Sequence, residues 1–132
     1  MLADLRNFLI ANVAEVAALS GQKVHVSEAE QGTTGTHVVI SHLGEDPNNH
    51  LGGRSGFKSA QIDIDCKAST PEAAEALADA IADVLEPHAG AMGTKTLKAA
   101  IQTDTREWVE SAKPGQGAGQ SVTTLEFTLQ YS

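Results

Sequence analysis

The most regular pattern of hydrophobic and polar residues runs from Phe57 to Glu86 and predicts a strand that leads directly into a helix. Alternate positions of the strand are apolar: Ala60, Ile62, Ile64, Cys66 and Ala68. The positions between them are polar: Ser59, Gln61, Asp63, Asp65 and Lys67. Such alternation is typical of a sheet that has one buried face and one face in water.

The helix that follows has a clear start and two distinct faces. Thr70 is a candidate N-cap with Pro71 at the first helical position, and Ser69 with Glu72 is an alternative capping box. The stripe predicted to be buried contains Ala74, Leu77, Ala78, Ile81, Val84 and Leu85. The opposite stripe is acidic and contains Glu72, Glu75, Asp79, Asp83 and Glu86. None of these carboxylates has a basic residue four positions later, so the acidic stripe gains no ion pairing within the helix.

The N-terminal third of the chain predicts one helix and two strands. Residues 2–19 form an amphipathic helix whose apolar stripe is Leu2, Leu5, Leu9, Val13 and Val16. A short strand, Lys23–Ser27, places Val24 and Val26 inward. After a turn at 31–36, the strand His37–Leu43 contains the run Val38-Val39-Ile40, which predicts a central strand buried on both faces.

Three segments have no hydrophobic period and predict irregular connections. Residues 44–56 and 111–120 are rich in glycine and indicate long mobile loops, the second at the tip of a hairpin. Residues 87–95 form a further irregular connection.

Two more strands complete the predicted fold. Thr96–Val109 places Leu97, Ala99 and Ile101 on one face and loses its phase near Trp108, which predicts a bulge or an exposed strand end. The last strand, Ser121–Tyr131, places Leu125, Phe127, Leu129 and Tyr131 inward and Thr124, Glu126, Thr128 and Gln130 outward. We therefore predict a single α+β domain over residues 1–132: a mostly antiparallel sheet of about five strands with two helices packed on one face.

Composition narrows the classes of protein that the chain can belong to. The formal net charge of −8 over 132 residues argues against a protein that grips nucleic acid by neutralising phosphates. Cys66 is the only cysteine, so no internal disulfide is possible, and its strand position predicts a buried thiol. Charged and polar residues interrupt the N-terminal segment, and no stretch has the ~20 apolar residues of a membrane span. We expect a protein kept in the cytosol or in a particle assembled there.

The sequence contains none of the usual catalytic, metal-binding or cofactor-binding motifs. The histidines lack metal-ligand spacing, and the glycine clusters lack the ending of a phosphate-binding loop. Asp63 and Asp65 share a strand face roughly 6–7 Å apart, a spacing that would suit a glycosidase, but on a polar strand face a solvated or interface pair is the simpler interpretation. We predict no catalytic residue, no metal and no cofactor. The alternative is a small ligand-binding or enzymatic domain that uses this aspartate pair or a His25–His37 pair across neighbouring strands.

The order of these blocks resembles the small tail-completion proteins of long-tailed bacteriophages, the tail-terminator or head-to-tail joining family. The resemblance lies in the N-terminal helix, the strand Lys23–Val26, the turn at Gln31-Gly32 and the Val38-Val39-Ile40 strand. It continues through the strand Ala60–Cys66, the helix AEALADAIADVL (residues 74–85) and the final TLEFTLQY (residues 124–131). It covers residues 2–131, with a departure at His37, where the family often has proline followed by an aromatic residue.

The resemblance implies a structural virion protein and no enzymatic activity. Such proteins form a ring, commonly of six subunits, that caps the head-proximal end of the tail tube and ends its polymerisation. The implied partners are other copies of the chain, the tail-tube protein and the head–tail connector, and DNA passes through the ring without specific binding. A head-side adaptor or stopper of the connector is an alternative within the same class. The implied location is the virion tail, assembled in the host cytoplasm, with no membrane partner.

Two groups of residues are candidates for the contacts of such a ring. In the first group, loop residues dock the tube or the connector: Asp46, His50, Arg54, Lys113 and Gln116. In the second group, carboxylates of the acidic stripe line the channel or the ring wall: Glu72, Glu75, Asp79 and Asp83. For both groups the simpler interpretation is a set of solvated surface charges.

Overall fold

A computed structural model describes residues 2–13, 24–26, 36–50, 53–110 and 120–131 of the chain. Its helices are α1 (Leu2–Asn12) and α2 (Pro71–Leu85). Its strands are β1 (Val24–Val26), β2 (His37–His50), β3 (Gly53–Ala68), β4 (Gly90–Met92), β5 (Lys95–Glu110) and β6 (Gln120–Tyr131).

Across the described residues, the strands form one sheet in the order β1-β2-β3-β6-β5-β4. β1 runs parallel to β2, and the other neighbours are antiparallel. The predicted α+β class is confirmed, but the sheet is mixed and has six strands, where about five mostly antiparallel strands were expected. The extra strand is β4, which lies in the predicted irregular connection 87–95 and pairs with the start of β5.

Both helices pack on the same face of this sheet. α2 lies over β3 and β6, and α1 lies over β1, β2 and β4. The core that they enclose is mostly aliphatic, and Phe127 is the largest of its fully buried side chains. Burying this apolar surface against a single sheet face is the main term that favours the fold.

The strand–helix junction has the predicted geometry. Every predicted inward residue of β3 is fully buried, whereas the alternate residues are half-buried or exposed. Thr70 is the N-cap of α2, because its Oγ1 accepts a hydrogen bond of 3.2 Å from the backbone N–H of Ala73. The predicted helix stripe is buried apart from Val84, which is half-buried. The helix rests on β3 and β6 through this stripe, so its acidic stripe faces outward.

The N-terminal elements also follow the prediction within the described residues. Leu5, Leu9 and Val13 are buried, and positions 14–19 of the predicted helix, with Val16, lie outside the described residues. The β2 run at 37–40 is buried throughout, as expected for a strand with neighbours on both sides. Val26 of β1 is half-buried, although it was predicted to point inward with Val24.

The predicted loop 44–56 is wrong over most of its length. β2 continues to His50 and β3 begins at Gly53, so the segment is a long hairpin arm. Backbone hydrogen bonds hold such an arm together without any hydrophobic period. Pro47 fits because it lies beside a register irregularity, and beyond residue 40 β2 has no second strand neighbour among the described residues.

The predicted irregular connection 87–95 contains a tight β4–β5 hairpin that α1 contacts. Gly93 has a φ of 61°, a left-handed conformation that favours glycine. The carboxylate of Asp4 accepts hydrogen bonds from the backbone N–H of Thr94 at 3.4 Å and from its hydroxyl at 3.3 Å. A Cβ added to Gly93 would lie 2.1 Å from Oδ1 of Asp4. A side chain at residue 93 would therefore require Asp4 to move away from the turn.

The faces of β5 differ from the predicted ones because the strand has two bulges. Lys98 and Thr103 are extra residues in its pairing with β6, and each reverses the alternation of faces. Leu97 and Ala100 are consequently buried, whereas Ile101 is 47% exposed. The sequence predicted a bulge or an exposed strand end near Trp108. The bulges lie earlier in the strand, but the exposed strand end is confirmed, because Trp108 is 44% and Val109 is 72% exposed.

Candidate docking surface

Apolar side chains that reach solvent are concentrated on β5. Among the residues that the structure describes, the large exposed hydrophobic side chains are Ile101 at 47%, Trp108 at 44% and Val109 at 72%. Ile101 and Trp108 have this exposure because they lie on the face of the sheet away from the helices, in register with Thr128 and Val122. Val109 lies on the other face, where α2 makes few contacts with β5. Exposed apolar residues grouped on one element are typical of a surface that binds another protein.

An apolar cleft of about 200 Å³ lies beside the exposed end of β5. Its walls come from the first residue of α2 and from the paired ends of β5 and β6, and include Pro71, Trp108, Val109, Val122 and Thr123. Trp108 is held in place at this wall, because its indole Nε1 donates a hydrogen bond of 2.9 Å to Oγ1 of Thr124. The cleft therefore has a rigid aromatic side, a property shared with binding hot spots.

Thr124 connects this cleft to the polar face of the sheet. It was predicted to face outward, yet it is 2% exposed, because Trp108 covers it and its own hydroxyl donates a 2.7 Å hydrogen bond to Oδ1 of Asp65. The alternation of the sequence predicts only which face a residue occupies. The burial of Thr124 on the outer face depends on the side chain of Trp108, which extends over it from the neighbouring strand β5.

The second aspartate of the predicted pair has a separate partner. Oδ2 of Asp63 accepts a hydrogen bond of 3.2 Å from Nη2 of Arg106, while its Oδ1 is buried with no partner among the described residues. Burial raises the pKa of the Asp63 carboxyl, Arg106 lowers it in part, and the charges of Asp65 and Glu126 add to the rise. The two aspartates thus interact with β5 and β6 and hold the sheet strands to one another.

The predicted histidine pair is present across β1 and β2. The rings of His25 and His37 meet edge to face with centroids 5.8 Å apart, and Nε2 of His25 is buried with no partner among the described residues. No three side chains of histidine, cysteine, aspartate or glutamate within the described ranges are grouped so that they could hold a metal ion. Neither described helix is long and apolar enough to cross a membrane.

The predicted docking residues are placed differently from the expected mobile loops. Asp46 and His50 lie on β2 and Arg54 lies on β3, in register with Ser59, Gly53 and Asn49 respectively. Lys113 and Gln116 lie outside the described residues, between the paired positions Glu110 and Gln120. The structure thus places the first three on one hairpin arm.

The four candidate ring-wall carboxylates, Glu72, Glu75, Asp79 and Asp83, are exposed on the outer face of α2. Cys66 is fully buried, as predicted, and burial raises the pKa of its thiol well above the ordinary value.

Sequence reasoning missed Trp108, Val109 and Thr124 as a surface, although the loss of phase near Trp108 was a signal that this part of β5 leaves the core.

Comparisons with known proteins identify a matching family and a solved chain with a similar fold. Residues 5–117 match the family model described as "Tail completion protein gp17". A solved chain described as "Virion of native gene transfer agent (GTA) particle" has a similar fold, with a TM-score of 0.67 and 17% sequence identity, and the match covers 100% of this chain and 95% of that one. No curated protein sequence matches the chain. At 17% identity the solved chain supports the fold alone. The family model spans residues 5–117 of the 132, and the chain therefore belongs to the tail completion protein gp17 family.

Proposed function

We propose that the protein is a structural subunit that forms a ring on the head-proximal end of a phage-like tail tube, ends its polymerisation and joins it to the head connector. The observation that carries this proposal is the family match over residues 5–117, which supports a structural role in the tail rather than a catalytic one. The similar fold of a chain from a gene transfer agent virion is consistent with assembly into a particle.

The surface around Trp108 and Val109 is suited to end-on contact with a partner. It lies at the end of the sheet where β5 and β6 are joined through residues 111–119, the segment that contains Lys113 and Gln116. A buried partner side chain could enter the apolar cleft beside Trp108. We therefore assign docking of the tube or connector to this end, and a further contact to the β2–β3 arm that contains Asp46, His50 and Arg54.

The charge of the chain suits a ring through which DNA slides. Six copies would have a formal charge of six times −8, or −48. If the outer face of α2 contributes to the channel, Glu72, Glu75, Asp79 and Asp83 would repel phosphates and keep the DNA mobile. If α2 instead lies on the outer wall of the ring, the same residues keep assembled particles apart.

Mixing the purified chain with polymerising tail-tube protein of the same particle tests this proposal, with negative-stain images as the readout. We expect short tubes with added density at one end. Tubes that lengthen normally and have bare ends would refute the capping role. Binding to purified connector without binding to tubes would assign the chain to the head side of the joint.

Substitution of Val109 tests the assigned surface without disturbing the core. Val109→Ser removes an apolar group that is 72% exposed, so folding should be unchanged. We expect the concentration needed for capping to rise about fivefold or more if the side chain enters the interface. Ala76→Ser, on the exposed side of α2, is the matched control and should cap as the wild type does.

A further inference from the structure

The apolar cleft beside the end of β5 has one charged residue among its described lining residues. Glu107 lines the cleft with Pro71 and Val109, and its side chain is exposed. Glu107 and Val109 are in register with Thr123 and Ser121, so they lie on the face of the sheet where the core residues of β6 lie. A carboxylate and an apolar side chain thus lie side by side on the same face of β5.

The side of the cleft that α2 contributes is also acidic. Glu75 is exposed and lies four residues after Pro71, so the two share one side of the helix. Neither Glu75 nor Glu107 has an ion-pair partner within the described part of the chain. The positive end of the helix dipole is equivalent to only about half a unit charge. Two carboxylates outweigh it, and the cleft is therefore negative.

The lining of the cleft restricts what can fill it. A large apolar side chain of a partner suits its mostly apolar walls, but such a side chain would displace water from the carboxylate of Glu107. A carboxylate that loses water and gains no partner makes the complex less stable. The occupant that fits must therefore supply a positively charged group beside its apolar one, which also complements the charge of the cleft.

The edge of β5 favours an occupant in extended conformation. β4 pairs with β5 only at 95–97, and no other described strand pairs with that edge. Backbone groups near the cleft can therefore bind a partner strand. Glu107 and Val109 are two residues apart on one face, and alternate residues of a partner strand share a face in the same way. A partner residue beside Val109 would thus have the residue two positions away beside Glu107.

We infer that this cleft binds an extended segment of another virion protein, in which a large apolar residue fills the cleft and a lysine or arginine two positions away pairs with Glu107. The inference deepens the proposed function by giving the chemistry of the partner. It rests on that function for the kind of protein that supplies the segment, whereas the contact itself does not depend on it.

Three acetylated pentapeptide amides test this chemistry, with backbone amide chemical shifts as the readout. They are Lys-Ser-Leu-Ser-Lys, its acidic counterpart Glu-Ser-Leu-Ser-Glu, and Lys-Ser-Ala-Ser-Lys, which lacks the large apolar residue. Lysine on both sides of leucine makes the test independent of strand direction. We expect the first peptide to shift the amides of Glu107 and Val109 and to bind about fivefold more tightly than either of the others at low salt. Equal affinities, or no shift at the cleft up to millimolar concentration, would overturn the inference.

A fourth peptide, Ser-Lys-Leu-Lys-Ser, tests the spacing. It has the composition of the first peptide, but its lysines are adjacent to leucine and would point away from Glu107 when leucine fills the cleft. We expect it to bind about threefold more weakly than the first peptide. Equal binding of the two would overturn the assigned two-residue spacing.

Charge reversal on the protein provides a second measurement. Glu107→Lys should reverse the preference, so that the acidic peptide binds more tightly than the basic one. Glu86→Lys makes the same change at an exposed position at the other end of α2 and should keep the wild-type preference. Circular dichroism checks that both variants fold. A folded Glu107→Lys variant that still prefers the basic peptide would contradict the inference.

Two further outcomes separate this inference from the proposed function. Selective binding of the basic peptide by a protein that fails to cap tubes would support the contact and refute the proposed function. Capping by a protein that does not distinguish the peptides would have the opposite meaning. Sedimentation of the protein alone tests the other possible occupant: a self-association that Glu107→Lys abolishes and Glu86→Lys does not would assign the cleft to a second copy of the chain and overturn the inference.

Discussion

β3 and β5 are strands of the same length that differ in how completely their apolar side chains are buried. Each has 16 residues, and both pair with β6. β3 lies inside the sheet beneath α2, keeps strict alternation over 58–68 and buries each of its predicted inward residues. β5 lies near the edge, has two bulges and exposes three large hydrophobic side chains. The register of β3 is determined by burial, because it has two neighbours along its length and a helix over it. β5 pairs with β4 only at 95–97, so most of its length has one described neighbour and its apolar residues are free to contact a partner.

The sharpest test of this comparison substitutes one isoleucine in each strand. Ile64→Asp places an unpaired charge at a fully buried position and should destabilise the protein by about 4 kcal/mol or more, which is enough to unfold a domain of ordinary stability. Ile101→Asp on β5 should change the free energy of unfolding by only about 0.5 kcal/mol. Urea unfolding followed by circular dichroism measures both. Similar losses in the two variants would show that Ile101 is a core residue.

The start of β5 differs from the rest of its edge because α1 holds it in place. Gly93→Ala should cost about 1–2 kcal/mol, since alanine is strained at a φ of 61° and its Cβ would displace Asp4 from Thr94. Thermal unfolding of a double-mutant cycle with Asp4→Ala separates the two causes. In the Asp4→Ala background the clash is gone and a smaller cost, due to backbone strain alone, should persist. A Gly93→Ala variant as stable as the wild type would refute the described turn.

Thr124 joins the two strands through its hydroxyl and offers a moderate test. Thr124→Val keeps the shape but removes the hydrogen bonds to Trp108 and Asp65, and should cost about 1 kcal/mol. The fluorescence of Trp108, the only tryptophan, should also change because the indole loses its anchor. Thr128→Val, half-buried on the same face, is the control and should alter neither property. Unchanged fluorescence in Thr124→Val would contradict the contact.

The smallest expected effect is a pH dependence due to Asp63. Because burial raises the pKa of this carboxyl above its ordinary 3.8, the folded protein holds the proton more tightly than the unfolded chain. Its stabilising contribution is therefore present below the ordinary pKa and is lost as the pH rises through the folded value. Asp63→Asn should remove this dependence and be as stable as the wild type at neutral pH, because its half-exposed partner Arg106 contributes little.

Denaturant titrations across acidic and neutral pH measure that difference. Asp79→Asn is the control, since it removes a carboxyl from the exposed face of α2. A wild-type stability that rises with pH relative to Asp63→Asn, over the window between the unfolded and folded pKa values, would mean that the carboxyl is stabilised in its charged form.

The parts of the fold that were predictable are those in which one residue period is tied to one buried face. The β3–α2 junction and the inward residues of β6 follow from alternation and helical spacing. Capping chemistry offered Thr70 and a Ser69–Glu72 box as alternatives, and the structure has Thr70 as the cap. The arm formed by the ends of β2 and β3 was missed because strand pairing there depends on backbone hydrogen bonds, and glycine, proline and asparagine are typical of loops.

The candidate surface was less predictable than the core. Bulges at Lys98 and Thr103 change which residues of β5 point toward the helices. No local feature of the sequence predicts a single extra residue in a strand pairing. The burial of Thr124 depends on a tryptophan 16 residues away. Both are consequences of how β5 pairs with β6, which is a long-range property.

By itself, the sequence determined the class of the fold, the buried faces of β3, α2 and β6, and the resemblance to tail-completion proteins, because each rests on local periodicity or on the order of blocks. Tertiary structure alone decided the place of β4 and the exposure of Ile101, Trp108 and Val109. The physical reason is that burial against a neighbouring layer selects apolar residues at every second position of a strand or every third to fourth position of a helix. This periodicity can be recognised in a short stretch of sequence. Edges and bulges depend on which strands lack a neighbour, and only the folded sheet defines that.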